Sequence, residues 1–125
     1  MSQVTEIGRV IVPVSDQDAA IAFYTEKIGF SLAADVPYGD GQRWVEVSPP
    51  KGGTGIALTP PTGEFQPGRV TGIALATADA RAAHAELRDK GVDVEAELMG
   101  GDGGVPLLFS FRDPDGNSVM VVESR

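Results

Sequence analysis

The sequence predicts an α+β fold built from two copies of one βαβββ module. The stretch Arg9–Asp16 returns as Gly72–Asp79, an offset of 63 residues. The same offset superimposes four residues of the helix that follows, and then Val45 on Leu108 and Ile56 on Val119. Helix-like and strand-like patterns also follow each other in the same order in both halves. One register that runs through helices and strands indicates a duplicated unit.

The first module begins with an alternating, β-branched stretch and a helix whose start is marked by Ser15-Asp16, because these side chains supply capping oxygens. Gly29 suits the left-handed position that ends a helix. The segment 49–53 is rich in proline and glycine and predicts a turn between the last two strands. The predicted elements are a strand at 4–14, a helix at 17–27 and strands at 30–36, 43–48 and 55–59.

The second module follows a proline-rich linker, and Gly91 stops its helix. Four glycines between residues 100 and 104 predict a mobile loop, and Asp113-Pro114-Asp115-Gly116-Asn117 predicts a hairpin turn. We therefore expect a single domain over residues 1–125, with module one at 1–59, a linker at 60–68 and module two at 69–125. The predicted elements of the second module are a strand at 71–77, a helix at 79–90 and strands at 92–97, 107–111 and 118–123.

The composition restricts the binding partners and the cellular location that we expect for this protein. The formal net charge of −8 opposes binding to nucleic acid and to anionic membranes. The sequence has no cysteine, which excludes disulfides, thiolate metal sites and cysteine nucleophiles. No apolar run approaches the roughly 20 residues that span a bilayer, and no signal segment opens the sequence, so a cytoplasmic location is expected.

Four motifs occur in order along the chain: Pro13-Val14-Ser15-Asp16, Ala22-Phe23-Tyr24, Ile28-Gly29-Phe30 and 109–117. Together they resemble the vicinal oxygen chelate superfamily, which includes glyoxalase I, extradiol dioxygenases, fosfomycin-resistance enzymes and bleomycin-resistance proteins. The resemblance implies a curved, cup-like mixed sheet of eight strands with the helices outside, commonly in a homodimer. It also implies a divalent metal held by His or Glu side chains from the first and fourth strands of each module.

The positions that correspond to those metal ligands carry unsuitable residues. They are Arg9, Ala57, Gly72 and Met120. Alanine and glycine offer no donor, and a thioether is too soft for the metals expected. A guanidinium about 4 Å from a divalent ion costs roughly 8 kcal/mol at an effective dielectric of 20. No cofactor is therefore expected, and a divalent metal enters only under an alternative hypothesis.

Strand alternation from these positions predicts which side chains line the cup. A mostly apolar lining with a few polar groups suits a small-molecule ligand, although the apolar members also suit an ordinary core. Trp44 and Tyr38 flank the strands and form either a stacking rim or, for Trp44, part of the core or a dimer interface. The predicted ligand-binding residues are Arg9, Ile11, Arg43, Val45, Val47, Ala57, Gly72, Leu108, Ser110 and Met120, with Ala74 also facing inward.

The sequence gives expectations, but no single assigned role, for three titratable residues. Arg9 either contacts the ligand or pairs with a carboxylate such as Glu6 or Glu123. Glu46 is a weak candidate for a general base, since the 63-residue offset pairs it with Phe109, which is expected to pack under a helix. His84, the single histidine, is expected to be a half-exposed helix residue outside the cup.

The sequence favours a metal-free protein that binds a small molecule, such as a drug or an aromatic metabolite, as a homodimer. Two alternatives remain. One is a glyoxalase-like or dioxygenase-like metalloenzyme with displaced ligands. The other is a cofactorless lyase or isomerase that uses Arg9 or Arg43 to stabilise an anion and Glu46 to move a proton.

Overall fold

The computed structural model describes residues 2–124 and confirms the predicted α+β fold. The chain divides into two compact units, Met1–Gln66 and Pro67–Arg125. Each unit follows the order strand, helix, three strands, and each holds one four-stranded mixed sheet. Among residues 2–124, neither helix is long and apolar enough to cross a membrane.

In unit one, the first strand forms one edge of the sheet, and the last strand lies beside it in the interior of the sheet. The order is β1-β4-β3-β2, with β1 and β4 parallel and the other pairs antiparallel. Asp16 caps α1 as predicted, because its Oδ1 accepts a hydrogen bond from the Ala19 amide at 3.1 Å. The elements are β1 (Arg9–Pro13), α1 (Gln17–Ala22, continued by a π-helical turn over Phe23–Lys27), β2 (Ser31–Pro37), β3 (Arg43–Ser48) and β4 (Gly55–Thr59).

Unit two repeats this topology with the order β5-β8-β7-β6, in which β5 and β8 are parallel. Asp79 caps its helix in the same way, accepting from the Ala82 amide at 3.0 Å. The elements are β5 (Val70–Thr77), α2 (Ala80–Asp89), β6 (Asp93–Val94), β7 (Leu108–Arg112) and β8 (Ser118–Glu123).

Two strands are shorter than the sequence predicts. β1 begins at Arg9 and not at Val4, because its neighbour β4 provides pairing partners only for Arg9–Pro13. Val4 and Ile7 are consequently exposed. β6 is limited to Asp93–Val94, since its pairing with β7 stops where the chain bends toward the glycine-rich loop.

The core of each unit lies between its helix and one face of its sheet. In unit two, Phe109 and Phe111 on β7 and Val119 on β8 are fully buried on the face toward α2. In unit one, Val12 on β1 and Leu58 on β4 are buried together with Tyr24 from the helical segment. We call this side of each sheet the helix face, and the opposite side the open face.

His84 belongs to this core, so its predicted half-exposed position is wrong. The residue is 5% exposed, and its Nε2 lies 2.7 Å from the Glu95 carbonyl oxygen. Its ring meets Phe109 edge-on at a centroid distance of 5.0 Å. Because both the ring and the polar atom have partners inside unit two, His84 is a structural residue that ties α2 to the sheet.

Candidate functional site

The open face of the first sheet gathers a row of side chains from three strands. Ile11 on β1 pairs with Ala57 on β4, and Ala57 pairs with Glu46 on β3. Directly paired residues point to the same side of a sheet, so these three share one face. A contact between Arg9 and Glu46 places Arg9 on that face as well.

Three predicted lining residues lie on the other side. Val45 and Val47 are completely buried, and Val47 pairs with the core residue Ile56. Arg43 contacts Asp18 on α1 and Asp35 on β2, which lowers the pKa of the Asp35 carboxyl group through hydrogen bonds from the guanidinium. The predicted orientation of Arg43, Val45 and Val47 toward the cup is therefore wrong.

A one-residue change of register explains this error. Ser110 on β7 pairs with Met120, and Glu46 pairs with Ala57. Met120 and Ala57 are related by the offset of 63, but Ser110 and Glu46 are related by 64. Because successive strand residues point to opposite faces, a shift of one residue exchanges the two faces of the whole strand.

The predicted lining residues of unit two share its open face. Ala74 on β5 and Ser110 on β7 both pair with Met120, and Leu108 lies two residues before Ser110 on the same strand. Gly72 lies at an irregularity in the pairing of β5 with β8 and has a φ of 76°, a conformation that favours glycine. Their predicted part in ligand binding remains a prediction.

Glu46 connects the two other functional side chains of the open face in unit one. Its Oε2 accepts hydrogen bonds from Arg9 Nε at 3.0 Å and from the Trp44 indole nitrogen at 2.5 Å. Arg9 thus pairs with Glu46, and not with the expected Glu6 or Glu123. Glu123 instead accepts a hydrogen bond from the Ala80 amide at the start of α2.

These contacts favour the ionised form of the Glu46 carboxyl group. The hydrogen bond from Trp44 has the largest effect and lowers the pKa of the Glu46 carboxyl group below its ordinary value. Desolvation opposes it, and the hydrogen bond and the charge of Arg9 lower this pKa further. A carboxylate with a lowered pKa is a weak base near neutral pH. Glu46 is therefore suited to hold Trp44 and Arg9 in place rather than to abstract a proton.

An aromatic cleft of about 370 Å³ opens beside this network, within unit one. Trp44 forms one wall, Tyr38 comes from the loop that joins β2 to β3, and Phe65 comes from the segment after β4. All the lining residues are uncharged. They are Ile11, Tyr38, Gln42, Trp44, Thr59, Pro60, Thr62 and Phe65.

The sequence predicts Ile11, Trp44 and Tyr38 near a site, but it does not predict that the segment after β4 contributes to one. The prolines and glycines of residues 60–68 predict a linker. The segment folds back on itself, since Thr62 and Phe65 exchange backbone hydrogen bonds at 3.2 and 2.7 Å. A single aromatic residue in a proline- and glycine-rich stretch was the available signal, because a linker has no need of one.

A second, larger cavity of about 620 Å³ lies within unit two, between the start of α2 and the glycine-rich loop. Three acidic residues and one arginine line it, and no aromatic residue does. The charged residues are Asp79, Arg81, Asp102 and Glu123. Of these two cavities, the cleft of unit one is the one lined by aromatic side chains.

The residues at the expected metal positions do not suit a divalent ion. Arg9 brings a positive charge, and Glu46, a carboxylate on the same face, already accepts hydrogen bonds from Arg9 and Trp44. Within residues 2–124, no group of three or more His, Cys, Asp or Glu side chains is arranged to hold a metal ion.

Comparison with known proteins agrees with this architecture. The model of the Glyoxalase/Bleomycin resistance protein/Dioxygenase superfamily matches residues 6–121. The protein YetH of Bacillus subtilis (strain 168) is 32% identical over 123 residues, which cover 96% of this chain and 99% of YetH.

Two solved structures are similar over nearly the full length. TnmS3, an antibiotic binding protein from Streptomyces sp. CB03234, is 33% identical with a TM-score of 0.85, and all of each chain is covered. A member of the same superfamily from Sphaerobacter thermophilus DSM 20745 is 32% identical with a TM-score of 0.87, over 98% of this chain and 100% of that one. The chain belongs to the Glyoxalase/Bleomycin resistance protein/Dioxygenase superfamily.

Proposed function

We propose that this protein binds a planar aromatic small molecule in the aromatic cleft of unit one, without a metal ion and without chemical turnover. The observation that carries this proposal is the composition of the cleft, which combines Tyr38, Trp44 and Phe65 with no charged lining residue. Its volume of about 370 Å³ falls within the range of small-molecule sites.

The chemistry of the lining supports an aromatic ligand. Stacked or edge-on aromatic pairs contribute about 0.5–1.5 kcal/mol each beyond the burial of apolar area. Gln42, Thr59 and Thr62 add polar groups at the same cleft. Such a surface fits a flat ring system with a few polar substituents, because the rings stack while the substituents form hydrogen bonds.

Two further observations support binding over catalysis. Glu46, the weak candidate base, is held as a carboxylate by Trp44 and Arg9. TnmS3, similar over the whole chain, is described as an antibiotic binding protein. A drug or an aromatic metabolite is therefore the class of ligand that we propose.

The single tryptophan of the sequence, Trp44, makes the test direct. We expect N-phenyl-1-naphthylamine, an uncharged aromatic probe, to quench Trp44 fluorescence with a saturable 1:1 isotherm. Phe65→Ala should weaken its binding about tenfold, because one ring and its contact area are lost. Trp44 remains as the reporter in this variant.

Met99→Ala is the matched control, since it also removes a large apolar side chain that is at least partly exposed but lies in unit two. We expect its dissociation constant to equal that of the wild type within twofold. A non-saturable isotherm, or equal binding by the Phe65→Ala variant and the wild type, would contradict the proposed site.

The proposal extends to a cytoplasmic homodimer. β2 is an edge strand of its sheet, and Leu32 and Val36 on it are about half exposed. An exposed apolar edge strand favours pairing with another chain. The absence of cysteine supports a reducing compartment. Light scattering should give twice the mass of the 13.0 kDa chain, and a monomer mass would refute the dimer.

A further inference from the structure

We propose that the ligand carries oxygen acceptors and that Arg9 recognises them with the terminal nitrogens of its guanidinium group. This inference rests on the proposed function and names the class of ligand more closely: an aromatic compound bearing a carboxylate, a sulfonate or a similar pair of oxygens.

Glu46 fixes one edge of the guanidinium group. Arg9 donates through Nε to Glu46 Oε2 at 3.0 Å, and its side chain forms no other hydrogen bond or ion pair within residues 2–124. The two terminal nitrogens therefore have no protein acceptor in the part of the chain that the structure describes. With 51% of its side chain exposed, Arg9 presents these donors to solvent on the open face.

Arg9 lies close enough to the cleft to contact a substituent of a ligand bound there. It precedes Ile11, a lining residue of the cleft, by two positions on the same strand and face. Two residues of a strand span roughly 6.6 Å, and an arginine side chain is long enough to cross much of that distance. An acceptor attached to a ring stacked on Trp44 can thus reach Arg9, while Glu46 connects the two residues.

The geometry of the guanidinium selects the acceptor. Its donors form a rigid, planar fork that matches two oxygens on one group, and hydrogen bonds between charged partners are stronger than neutral ones. The net charge of −8 repels anions at long range. Recognition of an anionic ligand therefore needs a local, oriented cation, and Arg9 supplies it on this face.

Two naphthalene probes separate this inference from the proposed function. One is 8-anilinonaphthalene-1-sulfonate, and the other, N-phenyl-1-naphthylamine, has the same ring system without the sulfonate. At about 150 mM salt, where the Debye length is about 8 Å, we expect Arg9→Gln to weaken binding of the sulfonate probe about tenfold. The same variant should change binding of the uncharged probe by less than twofold.

Lys51→Gln is the matched control. It also removes one positive charge from unit one, but Lys51 lies in the turn between β3 and β4 and does not line the cleft. We expect both probes to bind this variant as they bind the wild type, within twofold. An equal effect of Arg9→Gln and Lys51→Gln on the sulfonate probe would overturn the inference, because it would show a response to overall charge only.

The remaining outcomes are also decisive. If Arg9→Gln weakens both probes alike, Arg9 supports the cleft without recognising oxygen, and the inference is wrong. If it weakens neither, the pairing with Glu46 is its whole role, and the inference is again wrong. Failure of the proposed function is distinct, because in that case Phe65→Ala leaves binding of the uncharged probe unchanged.

Discussion

Val47→Asp is expected to unfold unit one, whereas Ser48→Asp should leave it folded. Val47 is completely buried on the helix face of β3 and pairs with Ile56 in the core. An unpaired carboxylate there costs several kcal/mol, which is a large part of the 5–15 kcal/mol of a typical domain. Ser48, one residue later, points to the opposite face of the strand and is partly exposed.

Far-ultraviolet circular dichroism and the emission of Trp44 measure this difference. The Val47→Asp variant should show a Trp44 emission maximum close to that of free tryptophan in water, and a reduced helix and strand signal. Ser48→Asp should reproduce the wild-type spectra. The opposite pattern, with Ser48→Asp unfolded and Val47→Asp folded, would show that the faces of β3 are assigned in the wrong order.

Asn117→Ala is expected to destabilise the protein by about 3 kcal/mol, which corresponds to about 10 °C in melting temperature for a chain of this size. Asn117 is completely buried, and its Oδ1 accepts from the Gly68 and Arg69 amides at 2.9 and 3.3 Å. Its Nδ2 donates to Asp113 Oδ2 at 3.0 Å. Alanine would remove these three hydrogen bonds from a completely buried position.

Thermal unfolding followed by circular dichroism checks this prediction. Ser118→Ala is the control, because the Ser118 hydroxyl group forms no hydrogen bond within residues 2–124, and we expect its melting temperature to change by less than about 2 °C. Equal melting temperatures for Asn117→Ala and the wild type would mean that the hairpin does not depend on this side chain.

Features encoded by nearby residues could be predicted from the sequence. Asp16 and Asp79 mark the helix starts because a cap needs only an oxygen and an amide three residues later. The turn between β7 and β8 follows from the same local chemistry, with Asp113 Oδ1 accepting from the Asp115 and Asn117 amides. The repeat also predicts that strands and helix follow each other in the same order along the chain in both units, and the structure confirms this order.

Features that depend on pairing between distant residues could not be predicted in the same way. The repeat offset changes from 63 to 64 at β3, and neither Val45 nor Glu46 carries a local mark of its face. Trp44 and Glu46 share a face because they are two residues apart on β3. The pairing of Glu46 with Ala57 makes this the open face, and the sequence does not specify that pairing. The cleft likewise depends on the return of Phe65 toward the sheet, which is a tertiary feature.

Dependence on metal is the most direct test of the central claim. Protein dialysed against EDTA should bind N-phenyl-1-naphthylamine with the same dissociation constant, within twofold, before and after addition of Mn²⁺ or Ni²⁺. Binding that appears only with the added ion, together with stoichiometric metal retained after gel filtration, would contradict the account.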